Sequence, residues 1–350
     1  MIADKSILFF CNNLGFELLN DVVSEIKDKN SVHFLIRKND YSTDIRSSKY
    51  SCLRIVNRII DFPKRYLYNR EMIKQIGNNQ YDYFIAFGYY QVSAQIIKRI
   101  KYNNPKCVSI VYFYDSFCRL NFSNDIKLFD SAYTFDRVDA LIHGIHYLPF
   151  FCKIYPQKEI KYDLCHIGLW SPGHYLRVPI LYYLKSITRL RTFFKCTYVD
   201  FKNMSHIKRT IFYIRCLRDK EYKYYLRYFK IYRDTDLLVG SMFKYQKILE
   251  IEAASRCIVE INSPRAGLSP RVINALANGK KVVINNPQIK DELFYSANNI
   301  YIIDSECPKF DKSFLETQFE NFDYTDLQIT HWLDILCGNS KNKYDVIESL

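Results

Sequence analysis

The chain has 350 residues, 48% hydrophobic, 16% aromatic and 25% charged, with a formal net charge of +13 at pH 7. That length exceeds one ordinary core, so about two domains are expected, and the basic surplus calls for an acidic counterpart: nucleic acid, anionic lipid or a phosphorylated small molecule. The 11 cysteines stand singly with no CxxC spacing, and no apolar run approaches the roughly 18 residues of a membrane span, which argues against a disulfide scaffold, a zinc ribbon and an integral membrane protein.

In chain order, MIADKSILFFCNNLG carries an apolar run too short to read as a signal peptide, so the cytosol is the expected location. Within it SILFFC (6–11) reads as a buried strand, followed by a helix to about Lys29. SVHFLIRK (31–38), YDYFIAFGYY (81–90) and CVSIVYFYDS (107–116) are further strands, the last two separated by the helical QVSAQIIKRIK. Near-continuous apolar strands alternating with helices predict a doubly wound parallel sheet whose ligands sit beyond the strands' carboxyl ends.

The pattern restarts near Tyr162. YDLCHIGLW (162–170) is a strand that runs into a loop with Gly168, Ser171, Pro172 and Gly173, and a helix starts at about His174. A strand (192–199), a long basic-aromatic helical stretch, DLLVG, another helix, CIVEI, VVIN and NNIYIID follow, and LQITHWLDILC reads as a terminal helix. The fold class expected is α/β, with two Rossmann-like doubly wound domains facing a cleft. The expected boundaries are 1–155, 156–322 and a C-terminal helix and tail over 323–350.

GLSPRVINALANGKKVVINN (267–286) carries the most chemistry. Gly267 allows a tight turn with exposed backbone, Ser269 is a suitable N-cap and Pro270 fits the first helical position. Arg271 then falls in the first turn, where the helix dipole disfavours a cation unless an anion is present. Two anions would serve, a bound diphosphate gripped by the guanidinium fork or a nearby carboxylate of the chain itself; the alternative is a side chain that points to water. Gly279 is a left-handed cap, and Asn285 and Asn286 close the next strand as either ligand contacts or a turn.

These pieces, taken in order, resemble the GT-B glycosyltransferases of bacterial capsule and lipopolysaccharide synthesis. The resemblance rests on YFYDS (112–116), TFDRVDA (134–140), YLPFF (147–151), YDLCHIG (162–168), EINSPRAGLSPRVINALANGKKVVINN (260–286) and NNIYIID (298–304). It implies a metal-independent enzyme without cofactor. The second domain would bind a nucleotide-diphosphate sugar, and the first a lipid-linked or lipopolysaccharide/capsule glycan acceptor. Arg271 would stabilise the leaving diphosphate, and Gly168, Glu260, Gly267, Leu268, Ser269, Asn274 and Asn285 would bound the donor. Many relatives carry a glutamate where this chain has Asn274, which opens a second expectation: a non-catalytic nucleotide-sugar-binding subunit. Asp115, ending an apolar strand, is the candidate general base, or else a cap.

Other signals are weaker. Asp234–Thr235–Asp236 resembles the metal-binding DxD of another glycosyltransferase fold but precedes a strand, so it reads as a loop. His143 and His146 lack a carboxylate at metal spacing. Asp136 and Asp139 read as cap and surface residues. From Lys185 to Arg233 there are 14 Lys and Arg against Asp200, Asp219 and Glu221. The Lys202–Tyr232 run within it is a candidate for an anionic membrane surface, or a solvated helix with its aromatic side on the domain. No RNA motif accompanies it: a basic nucleic-acid-binding protein is a third alternative, and the transferase reading expects no nucleic-acid partner.

Overall fold

The computed structural model describes residues 3–37, 66–88, 92–117, 126–198, 204–262 and 267–346. Lys38, Tyr89, Tyr90, Val199, Lys202 and residues 263–266, which belong to predicted strands, the basic run and the approach to the Gly267 turn, lie outside them. The chain forms two compact units, one of Met1–Phe151 with Tyr324–Leu350, the other Cys152–Asp323.

In the first unit, β1 (Ser6–Asn12), β2 (Ser31–Arg37), β3 (Tyr83–Phe87), β4 (Val108–Phe113), β5 (Ser131–Thr134) and β6 (His146–Tyr147) form one sheet in the order β2-β1-β3-β4-β5-β6. Every pairing is parallel. The long apolar runs place Ile7 to Cys11, Phe84 to Phe87 and Ile110 to Phe113 in the core, as strands covered on both faces require. Helices α1 (Asn13–Lys27), α2 (Ala94–Asn103) and α3 (Arg137–His143) and a helical stretch over 66–76 accompany the sheet. Ser93 caps α2 and Asp136 caps α3 through side-chain hydrogen bonds.

The terminal helix, α9 (Ile329–Leu336), belongs to this unit, numbered last because it ends the chain. Its five apolar residues, Ile329, Trp332, Leu333, Ile335 and Leu336, are all buried, while Thr330 and His331 are half-buried. Trp332 meets Tyr112 edge-on at 4.9 Å and Phe151 at 5.3 Å. The polar ends of these buried rings are satisfied: Trp332 Nε1 donates to Pro149 O at 2.9 Å and Tyr112 OH to Leu148 O at 3.0 Å.

In the second unit, β7 (Tyr162–Trp170), β8 (Thr192–Tyr198), β9 (Leu238–Val239), β10 (Ser255–Glu260), β11 (Lys281–Ile284) and β12 (Ile300–Ile302) form a parallel sheet in the order β12-β11-β10-β7-β8-β9. The helices are α4 (Arg177–Thr188), α5 (His206–Arg218), α6 (Lys220–Tyr232), α7 (Tyr245–Ala253) and α8 (Pro270–Ala277). The chain winds outward from β7 to β8 and β9, then returns to β10 on the other side. The direction therefore reverses between β7 and β10, and the crevice at their carboxyl ends is where an open parallel sheet binds ligands.

Candidate functional site

Glu260 ends β10 at that reversal and is buried. Its Oε2 accepts a hydrogen bond from Arg271 Nη1 at 2.6 Å, and Arg271 Nε donates to Glu252 Oε1, from α7, at 2.9 Å. On the other side, Arg177 Nη2 stands 3.5 Å from Glu260 Oε1. Arg177 is itself buried at the start of α4. Its Nε donates to Ile261 O at 2.9 Å, its Nη1 to Leu169 O at 2.5 Å and its Nη2 to Asn262 Oδ1 at 3.3 Å. The result is an alternating chain, Arg177–Glu260–Arg271–Glu252, in which two cations balance two anions and join the ends of β7 and β10 to α7 and α8.

Of the two anions the sequence offers for Arg271, the chain's own carboxylates are in place. The guanidinium spends Nε and Nη1 on them, while Nη2 has no partner among the described residues and the side chain keeps 20% of its surface exposed. Burial pushes the Glu260 carboxyl up, but Arg271 and Arg177 outweigh it and hold the group below its ordinary value. For Glu252 burial wins over the pull of Arg271, and its carboxyl lies above the usual range. One carboxylate flanked by two cations and one sharing a single cation thus titrate in opposite directions.

His166, on β7, lies beneath this chain and is fully buried. Its Nδ1 is 2.6 Å from Val259 O, which assigns the proton to Nδ1, and Nε2 has no partner. Burial, then Arg177 and Arg271, push its pKa well below the ordinary imidazole value, so the ring is neutral. Two residues on, a Cβ at Gly168 would stand 2.9 Å from His166 Nε2 and 3.0 Å from Arg177 Nη1. Gly168 is therefore required by the two side chains packed over it.

Gly267 and Leu268 are buried in the turn before α8. Ser269 occupies the N-cap by backbone conformation, yet its side chain makes no capping hydrogen bond, and its buried Oγ has no partner. Pro270 follows at the first position and no acid lies in the first turn. Among the described residues the α8 N-terminus thus has no side-chain cap. Gly279 adopts the expected left-handed conformation, φ +69°, just after the helix.

Asn274 does not point at this turn's partners. Its Oδ1 accepts from Lys153 N at 2.8 Å, while Asn278 Oδ1 accepts from Tyr155 N at 2.9 Å and Asn278 Nδ2 donates to Lys153 O at 2.8 Å. Two asparagines one helical turn apart therefore act as a backbone surrogate for the 153–155 segment. Asn285 is similarly committed: Oδ1 accepts from Asn262 N at 2.8 Å and Nδ2 donates to Asn262 O at 2.9 Å and Ser305 Oγ at 3.0 Å. Asn286 makes a turn, accepting from Gln288 N.

Asp115 belongs to the first unit, two residues past the end of β4, and is half-buried. Asp136 is the cap the sequence predicts, but Asp139 is buried and not on the surface: its Oδ2 accepts from Ser116 Oγ at 2.9 Å and Phe117 N at 2.6 Å, clamping the loop after β4. His146 does find a carboxylate, Asp345 at 2.5 Å, from 199 residues away. Asp236 faces Lys185 at 2.5 Å and Asp234 faces Arg233 at 3.3 Å, so this stretch is a turn with its charges compensated by lysine and arginine. Among the described residues, no three His, Cys, Asp or Glu side chains gather as a metal site, and no helix is long and apolar enough to cross a membrane.

No family model and no curated protein matches the sequence. Solved structures do match in fold. An E. coli structure of trehalose-6-phosphate bound with UDP-2-fluoro glucose aligns over 96% of this chain and 96% of its own, with a TM-score of 0.52 at 7% identity. The architecture is GT-B. The Anabaena protein HepE, in complex with UDP and glucose, aligns over 86% of each chain (TM-score 0.47, 11% identity). UDP-GlcNAc 2-epimerase from Neisseria meningitidis, bound to UDP-GlcNAc, aligns over 95% of this chain and 100% of its own (TM-score 0.46, 11% identity).

In this GT-B chain the sequence leaves Arg177, His166, Glu252 and Asn262 unmarked. Arg177 precedes an apolar helical run and His166 sits inside an apolar strand, so a charged or titratable residue embedded in each run is the one signal available. Glu252 carries no such signal, because a glutamate on a helix is ordinarily solvated.

Proposed function

We propose that the protein is a GT-B glycosyltransferase that transfers a sugar from a nucleoside-diphosphate sugar to a lipid-linked or lipopolysaccharide/capsule glycan. The observation that carries this reading is the α8 N-terminus at the strand-order reversal, left without a side-chain cap and with the Ser269 hydroxyl buried and unpartnered. Pro270 carries no N–H here and Val272 N–H donates to Ser269 O at 3.0 Å, so the positive end of the helix and the turn before it are what favour an anion, and a diphosphate supplies one. Gly267, Leu268 and Ser269 meet it through backbone and hydroxyl, and Arg271 offers its remaining Nη2. The Glu260–Arg271–Glu252 frame holds that nitrogen in place, so charge developing on the leaving diphosphate is met without reorganisation. Gly168 and Asn285 keep the neighbouring strand ends in register beside it. Asp115 takes the proton of the acceptor hydroxyl. The cytosol is the compartment proposed, and neither a metal nor a nucleic acid is invoked.

The engagement of Asn274 with Lys153 favours a second reading, in which the chain binds a nucleotide sugar without turning it over. An amide there holds no charge and cannot act as an acid or base.

Calorimetric titration with UDP, GDP, CDP and CMP tests what both readings share, with micromolar affinity for one of them expected. Mass detection of released nucleotide from a panel of donors separates them: turnover supports the transferase, binding without turnover the silent subunit. If no nucleotide binds, while RNA binds with a steep salt dependence, both are overturned.

A further inference from the structure

The basic-aromatic hairpin α5–α6 resolves into two faces. The inward face of α6 takes most of the aromatics: Tyr225 is fully buried and meets Trp170 edge-on at 4.9 Å, Phe229 stacks near the same ring at 6.0 Å, and Tyr222 packs on Phe212 of α5 at 5.3 Å. The aromatic content of this run is thus largely explained by the core.

The outward faces are different. On α6, Lys220, Lys223, Arg227 and Lys230 recur at spacings of three, four and three, which places them on one stripe, and all four are exposed. None has an acidic partner among the described residues, although like charges three and four apart on a helix repel. On α5, Tyr213, Ile214 and Leu217 form the stripe opposite the buried Phe212 and Cys216. Leu217 is 87% exposed, and on α6 Ile231 is 60% exposed. Exposed aliphatic side chains beside an uncompensated cationic stripe form the pattern of an interfacial helix pair.

We propose that this outward face of α5 and α6 docks on an anionic lipid surface, the cations at the headgroups and Ile214, Leu217 and Ile231 among the acyl chains. Charge complementarity decides for an anionic partner, and the aliphatics decide for lipid. A single-stranded nucleic acid is held by stacking on exposed aromatic rings; here Tyr222, Tyr225 and Phe229 are turned inward, the part-exposed Tyr224 is already stacked on Tyr175 at 5.5 Å, and Tyr213, 50% exposed, stands among the aliphatics. The proposal goes beyond the donor reading and does not depend on it.

The test is flotation of the full chain with vesicles of phosphatidylcholine alone, or with about one-third phosphatidylglycerol. Binding to the anionic vesicles only, weakening as salt rises, is expected. Lys223→Gln/Arg227→Gln should lower the partition coefficient about fivefold per charge removed, so roughly 25-fold. Leu217→Asp should abolish the part of the binding that survives high salt. All these positions are exposed, and an unchanged melting curve verifies folding. Nucleotide titration of the same variants should match the parent, so this proposal and the donor reading fail separately. Equal binding to neutral vesicles, anionic binding undiminished in the two-charge variant, or a single-stranded RNA that displaces the chain from vesicles and binds with the same salt slope would each overturn it.

Discussion

Arg271 and Glu260 meet across the end of β10, Nη1 to Oε2 at 2.6 Å, and the same guanidinium reaches Glu252 with Nε at 2.9 Å. A cation in the first turn of a helix works against the dipole, and here two buried carboxylates of the chain make it favourable. Removing it leaves both partly uncompensated in the interior. Arg271→Met should therefore cost about 3–5 kcal/mol in urea unfolding, and Arg271→Met/Glu260→Gln less than the sum of the single changes. A single variant within about 0.5 kcal/mol of the parent would show that the pair is not structural.

Ser269 offers the opposite case. Its hydroxyl is buried and unpartnered in the unliganded chain, so Ser269→Ala should leave the melting temperature unchanged or slightly raised. The same variant should bind its nucleoside diphosphate more weakly, by about one hydrogen bond's worth, or 0.5–1.5 kcal/mol. A fall in stability with unchanged nucleotide affinity would place the hydroxyl in the fold instead of the site.

At Gly168 the space above the strand is already filled by His166 Nε2 and Arg177 Nη1. Neither is the free end of a flexible chain, since the imidazole is anchored on Val259 O and the guanidinium on three acceptors. Gly168→Ala is expected to destabilise by about 1–3 kcal/mol, read by thermal or urea unfolding.

His166 gives a pH signature. Its pKa is depressed in the fold, so the unfolded chain binds the proton more readily and unfolding takes one up. The stabilisation is complete above the ordinary imidazole value of about 6.5 and is lost as pH falls below it. Glu260, also depressed, adds a second loss below about 4.3, while Glu252, raised, works the other way as pH rises from there. In thermal unfolding between those two values, stability should rise with pH less steeply in His166→Gln than in the parent, because only the opposing Glu252 contribution remains; equal slopes would contradict the assignment.

Asn274 and Lys153 make a further measurable link, amide oxygen to backbone N–H at 2.8 Å. Asn274→Ala strands that buried donor and should cost about 1–3 kcal/mol, whereas Asn274→Asp, which keeps the acceptor, should cost less. Equal losses would show that the volume of the side chain, and not its oxygen, matters.

Long elements were legible in the chain because their cores are local patterns. The runs at 6–11, 81–87, 107–113 and 162–170 are apolar enough to be buried on both faces, and each became a strand. β5, SAYT, and β6, only His146 and Tyr147, have no such run; β5 is a strand because β4 supplies a partner edge, and β6 because β5 does. The terminal helix was readable from LQITHWLDILC, but its residence in the first unit was not, because Trp332 finds Tyr112 from 220 positions away in sequence.

What the chain alone determined was its periodicity: two rounds of strand and helix, a glycine turn, a helix with serine, proline and arginine at its start, and a basic hairpin. What only the tertiary structure decided was the partner of each polar group. Sequence shows that Arg271 needs an anion, but Glu252 and Glu260 reach it from a helix and a strand brought together by sheet order. Asn274 reads as a donor contact, and its Oδ1 holds the Lys153 amide; the basic-aromatic run of α6 divides by helical face, its cations outward on one stripe and Tyr225 and Phe229 inward. Periodicity is a property of neighbours along the chain, while pairing of buried charges and amides depends on which strand ends lie side by side. Only folding sets that.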